Sequence, residues 1–277
     1  MPTWDPLKLQ RMPWYAALQP VVHSTAWPAI WPSLANYQAL LERRPQPILS
    51  ANSKALQVVA QTENKNQDWQ QAYEPRIYLQ GALQTRLESW HDCFNLLVWA
   101  SFPAAKAALN ARQYALLAAR TTAHAKAERS PQQDVLTQFD ESGVVVLCAD
   151  SALSELLRSF QWKTLFWEQR AAVCAQMRCL LFGHGLMEKA LAPYPGLTGK
   201  GVILPVERDF FTQALALQVA QTDARLACHL RREKLWQHPQ DLAPVPILGF
   251  PGFTAENAQA AYYDDQRYFR PGRGIKL

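Results

Sequence analysis

No Cys-x-x-Cys pair, no long uninterrupted apolar run and no familiar catalytic signature occur in these 277 residues. Each absence removes a class. The five cysteines (Cys93, Cys148, Cys174, Cys179, Cys228) are odd in number and scattered, which argues against a disulfide framework and against a zinc knuckle. They read as small buried hydrophobes in a reducing compartment. No stretch approaches the roughly 18 apolar residues that a membrane helix needs, so no membrane partner is expected. The opening Met-Pro-Thr-Trp-Asp-Pro has no basic stretch followed by an apolar one, as a secretory leader would; the expected location is cytoplasmic. Without G-x-x-x-x-G-K-[ST], a G-x-G-x-x-G after a strand, G-x-S-x-G, H-E-x-x-H or the kinase set, the ordinary P-loop, dinucleotide-binding, α/β-hydrolase, zincin and kinase classes fall away.

Charge is also scarce, at 18% of residues against 49% hydrophobic ones, and ten tryptophans ask for burial. Such a chain can close a large core. One domain over 1–277 is expected, of fold class mainly α (α+β): a single compact helical domain with a few short strands and Pro/Trp-rich irregular terminal wraps. Prolines at 2, 6, 13, 20, 28, 32, 45 and 47, with Trp4, Trp14, Trp27 and Trp31 among them, prevent long regular elements at the start. Residues 1–73 therefore read as a wrap and a loop, the loop running from Asn52 to Asp68, and 74–273 as the core.

Within the core, Arg76–Leu79 alternates like a short strand, with Gly81 as a bend. Ser89 is placed to cap a helix carrying Phe94, Leu97, Val98 and Phe102 at helical spacing. Pro103 ends that helix and opens another, to about residue 125. A polar, basic loop follows over Ala123–Gln133, then a turn at Asp140-Glu141-Ser142-Gly143 and an apolar strand over Val144–Cys148. Asp150 or Ser151 caps a short helix. The longest helical pattern runs from Thr164 to Leu191, with Gly183 and Gly185 flanking His184, a sign of close packing against the backbone. A strand over Val202–Leu204, a helix from about Asp209 to Trp236 and a Pro/Gly/aromatic tail complete the chain.

The block with most chemistry is Trp90-His91-Asp92-Cys93-Phe94-Asn95. His91 and Asn95 share a helix face, and polar groups on a buried helix are costly unless they bond something. In a functional reading, His91 is a base or metal ligand, Asp92 its partner and Asn95 a substrate contact. A structural reading makes them a satisfied network beneath the tryptophan wrap. His184 and Glu188 stand i,i+4, a spacing that clasps a cation or pairs imidazole with carboxylate. Asp140 and Glu141 would offer a metal ligand and a general acid or base, or simply start a turn. In the tail, Arg270 and Arg273 either clamp an anion or fasten the segment to Asp264 and Asp265.

The blocks Trp90-His91-Asp92…Phe94-Asn95…Leu97-Val98-Trp99…Phe102-Pro103…Lys106…Leu109-Asn110, Phe139-Asp140-Glu141-Ser142-Gly143, Phe182-Gly183-His184…Glu188-Lys189 and Tyr263-Asp264-Asp265…Phe269-Arg270-Pro271 resemble an uncharacterised proteobacterial family, a domain of unknown function. The resemblance covers about residues 74–273. It implies one family domain and carries over no activity.

Three functional readings are open to such a chain. The first is an enzyme, a metal-assisted hydrolase in which His91, Asp92, His184 and Glu188 converge near Asp140 or Glu141 and act on a small-molecule substrate. Its metal ligands would be His91, His184 and Glu188, and its cofactor a divalent metal. The second is a non-catalytic scaffold or regulator. The third is an RNA-associated protein, suggested by the net charge of +5 and by Lys106, Arg112, Arg120, Lys126 and Arg129, although no nucleic-acid-binding motif is present. Oligomeric state leaves no readable signal.

Overall fold

Proline and tryptophan dictate the first segment. Short helices α1 (Leu7–Arg11) and α2 (Gln19–His23) flank a 3₁₀ stretch, and α3 (Leu34–Glu42) starts at a capping box made by Ser33 and Asn36. Trp4 and Trp31 settle on Trp90, with ring centroids 4.9 and 5.2 Å away, so the wrap clamps the start of the helix that carries His91. The structure, a computed structural model, describes residues 3–62, 68–122, 129–232 and 236–272.

The expected loop over Asn52–Asp68 contains β1 (Gln57–Ala60); residues 63–67 lie outside the described part. The expected strand over Arg76–Leu79 is a helix, α4 (Tyr73–Gln80). Pro75 falls in its first turn, where no backbone N–H is required, and Gly81, at φ 73°, closes it by donating to the carbonyls of Arg76 and Ile77. β2 (Ala82–Thr85) then pairs in parallel with β1.

Ser89 caps α5 (Trp90–Ser101), accepting from the Asp92 N–H, and Pro103 opens α6 (Pro103–Thr122). Asp223, reaching over from a later helix, accepts from the N–H groups of Ala104 and Ala105 and so supplies the cap that α6 lacks locally. Part of the expected loop over Ala123–Gln133 and the turn at Asp140–Gly143 belong to a helix, α7 (Pro131–Ser142). Ser130 and Gln133 form its capping box and Pro131 sits at its first position. Strand β3 (Gly143–Cys148) begins at once, and every residue in it is buried. Helix α8 (Ser151–Arg158) follows, capped by Asp150.

The long helical pattern over Thr164–Leu191 breaks into four pieces: a π-helical turn at Thr164–Glu168, α9 (Arg170–Gln176), β4 (Met177–Leu181) and α10 (His184–Lys189). Pairing with β3 overrides the helical periodicity, since a stretch as short as Met-Arg-Cys-Leu-Leu serves either element. The strand expected at Val202–Leu204 extends over β5 (Thr198–Pro205). The helix expected from Asp209 to Trp236 is a 3₁₀ turn at Arg208–Thr212 followed by α11 (Leu215–Leu230). Strand β6 (Ala243–Pro246) and 3₁₀ turns make up the tail.

The four-stranded sheet has the order β4-β3-β5-β6, with β3 and β5 parallel and both outer pairs antiparallel. With 56% helix and 13% strand, the class is mainly α (α+β). Among the described residues no helix is long and apolar enough to cross a membrane. Cys93, Cys148 and Cys179 are buried, whereas Cys174 and Cys228 are exposed rather than buried as expected. The tail is fastened differently from expectation: Asp264 holds Lys163, Asp265 holds Arg267, and the Arg270 carbonyl accepts from Trp162. Arg273 lies outside the described residues.

Candidate functional site

Sheet register builds the site. In the antiparallel pair, Val144 of β3 faces Leu181 of β4, so the residues just before β3 meet those just after β4 at one sheet end. The Gly143 carbonyl accepts from both Phe182 and Gly183 N–H, at 2.9 and 2.8 Å. That junction sets the last turn of α7, with Asp140 and Glu141, beside the first turn of α10, with His184. The glycines around His184 permit the approach. A Cβ on Gly183 would lie 2.3 Å from the Gly143 nitrogen, and one on Gly185 would lie 2.4 Å from Glu141 Oε2. Helix α5 then brings its own first turn, with His91, against α10.

The two imidazoles meet edge to face, with centroids 4.5 Å apart. Glu141 Oε1 lies 3.4 Å from His184 Nε2 and 3.9 Å from His91 Nε2. One ligand-type atom from each of His91, Glu141 and His184 falls within 4.8 Å of the others. The contact with His184 holds the Glu141 carboxyl below the usual range, against its partial burial, with His91 adding to the pull. His184 is buried and its Nδ1 has no hydrogen-bond partner.

Glu188 is not among the three clustered residues, and its Oε2 meets His91 at Nδ1, 3.2 Å away. Asp92 is not the partner of His91 either. It accepts from the Arg86 backbone N–H at 2.6 Å and pairs with the Arg86 guanidinium at 2.7 Å, which anchors β2 to α5. Asn95 is buried, and its Nδ2 donates to the Tyr73 hydroxyl. Asp140 is buried against Lys106, Nζ to Oδ1 2.6 Å. Burial pushes its carboxyl up, but Lys106, together with His184 and His91, wins and holds it below the usual range.

Lys106 thus leaves the basic stripe that suggested nucleic acid. Arg112 donates to the Arg232 carbonyl, while Arg120 and Arg129 line a cavity; Lys126 is outside the described residues. That cavity, of about 790 Å³, is bordered by His91, Glu141 and His184. Polar side chains elsewhere in its wall include Gln61, Gln84, Gln113, Gln133 and Thr137. The volume suits a small molecule.

Among the lining residues that the sequence did not single out is Glu74 on α4. Half-buried, it accepts from Asn110 Nδ2 at 2.5 Å, and the Gln113 side-chain amide lies against it, placed to donate once its nitrogen is turned toward the carboxylate. Burial first, and then the nearby Asp140 carboxylate, push its carboxyl up to about 7, against the opposing pull of Lys106, Asn110 and His184. It was missed because a strand over Arg76–Leu79 gave Glu74 no shared face with the site.

Comparison with curated proteins and with solved structures gives no match. A family model does match, over residues 56–273, and begins earlier than the resemblance suggested, so that it takes in β1. On that coverage the chain belongs to the family described as Protein of unknown function (DUF3025).

Proposed function

We propose that this chain is a metal-dependent hydrolase whose divalent ion is held by His91, Glu141 and His184. The observation that carries the reading is the gathering of two imidazoles and a carboxylate within 4.8 Å at the edge of a polar cavity. Two histidines and a glutamate are a donor set of catalytic zinc, in which a fourth position stays open for water or substrate. Such an ion would polarise the bond to be cut and ease deprotonation of water. Glu188, at His91 Nδ1, is the outer carboxylate that fixes the tautomer of a ligating imidazole. It therefore moves from ligand to positioning residue. Asn95 and Tyr73 offer hydrogen-bonding groups on the cavity wall. The substrate is a polar small molecule.

Metal content tests this. Purified protein dialysed against trace zinc, manganese or iron should retain about one ion per chain, and His184→Ala, checked for folding by circular dichroism, should retain none. No stoichiometric ion, or an ion unaffected by His184→Ala, contradicts the proposal. A clear preference for iron would move the chemistry from hydrolysis toward oxidation, because two histidines and one carboxylate also bind nonheme iron.

A further inference from the structure

Among the described residues, four acidic side chains line the cavity, and three have a cationic or imidazole partner. Asp92 has Arg86, Asp140 has Lys106, and Glu141 has the two histidines. Glu74 has amides in their place: Asn110 and Gln113, both on α6, and no ion pair joins it to any described residue. We propose that Glu74 is the acid that protonates the departing group, so that the natural substrate is one whose leaving group needs a proton, departing as an alcohol or an amine. This rests on the hydrolase reading and adds the substrate class to it.

Placement supports the role. A proton donor should border the cavity but not compete for the ion, and Glu74 lies outside the His91–Glu141–His184 cluster while lining the same space. The groups around it hold its proton near neutrality. Burial and then Asp140 from α7 oppose ionisation, Lys106 and Asn110 from α6 and His184 from α10 favour it, and the balance lies at about 7. Tyr73 and Arg76, its neighbours on α4, are engaged with Asn95 and Thr62. A carboxyl poised near the working pH is the most effective general acid.

The step balances without any further reactant. Water forms the new bond to the electrophilic carbon or phosphorus. As the bond to the leaving oxygen or nitrogen breaks, that atom takes the electron pair together with the proton of the Glu74 carboxyl. The proton released by the attacking water returns through solvent to the Glu74 carboxylate. Substrate and water become an acid and an alcohol or amine.

The test uses metal-loaded protein and two ester series, acetates and phosphate monoesters, with ethanol, phenol or p-nitrophenol as the leaving group. Glu74→Gln should slow the ethyl and phenyl members about 100-fold and spare the p-nitrophenyl member, because nitrophenolate leaves without a proton. Bound metal should be unchanged. In the wild type, kcat/KM on the phenyl ester should fall as pH rises through the titration of Glu74, and this limb should be missing for p-nitrophenyl. Equal slowing of all members, or of none, at equal metal content overturns the Glu74 assignment alone. Should Glu74→Gln fail to fold, the wild-type profiles decide, and the same limb in both esters, or in neither, overturns it. Metal-loaded wild type that hydrolyses no member overturns the hydrolase reading, and Glu74 with it.

Discussion

Asp140 and Glu74 are carboxylates lining one cavity, and they shift in opposite directions: Lys106 overcomes burial at Asp140, whereas burial and then the Asp140 charge prevail at Glu74. Lys106 is buried, makes its ion pair with Asp140 and stacks over the Trp99 ring at 5.4 Å. Removing a single partner of such a pair is expensive, because the other charge stays buried. Lys106→Met should therefore lower stability by about 3–5 kcal/mol at neutral pH, measured by chemical denaturation. The loss should shrink as pH falls, since an Asp140 freed of its cation takes up a proton more readily and its buried charge disappears. An equal loss at every pH would show that Asp140 does not sense Lys106. Residues of this kind are half legible in sequence. His91, Glu141 and His184 were identifiable by type and neighbourhood, and the structure brings them together; their roles remain proposals. Pairings were not legible. Asp92 looked like the partner of His91 because it is adjacent in sequence, yet adjacent helical residues point about 100° apart, and Asp92 turns to Arg86.

At the scale of elements, the close approach of α10 to α7 depends on small residues. A Cβ at Gly185 would lie 2.4 Å from Glu141 Oε2 and 3.1 Å from the Glu141 carbonyl oxygen. The carboxylate can swing aside more cheaply than the backbone can shift. Gly185→Ala should accordingly fold, at a cost of about 1–3 kcal/mol, while metal affinity drops at least about tenfold, as read by competition with a chelating dye. Unchanged affinity would show that Glu141 is free to relocate without consequence. The glycines around His184 announced this contact in the sequence. Elements were otherwise legible where local signals were strong, as at Ser89 and Pro103, which bound α5 and α6 as expected. They were not where tertiary pairing decides. Met177–Leu181 carries helical spacing yet becomes an edge strand on β3, and the Ser130 capping box was hidden inside a segment read as loop.

For the whole molecule, the candidate site is assembled from separated stretches of chain: α4, α5, α7 and α10, with α6 behind them. The N-terminal wrap secures two of these. Its tryptophans cover Trp90 at the head of α5, and the Tyr15 hydroxyl donates to the Met187 carbonyl in α10 at 2.8 Å. On the proposed reading these elements hold His91, Glu141 and His184 around one ion, and anomalous diffraction from crystals grown with zinc or manganese tests this. A single strong peak is expected within about 2.0–2.2 Å of both imidazoles and the Glu141 carboxylate. A protein that stays metal-free there, or that takes the ion elsewhere, would contradict it.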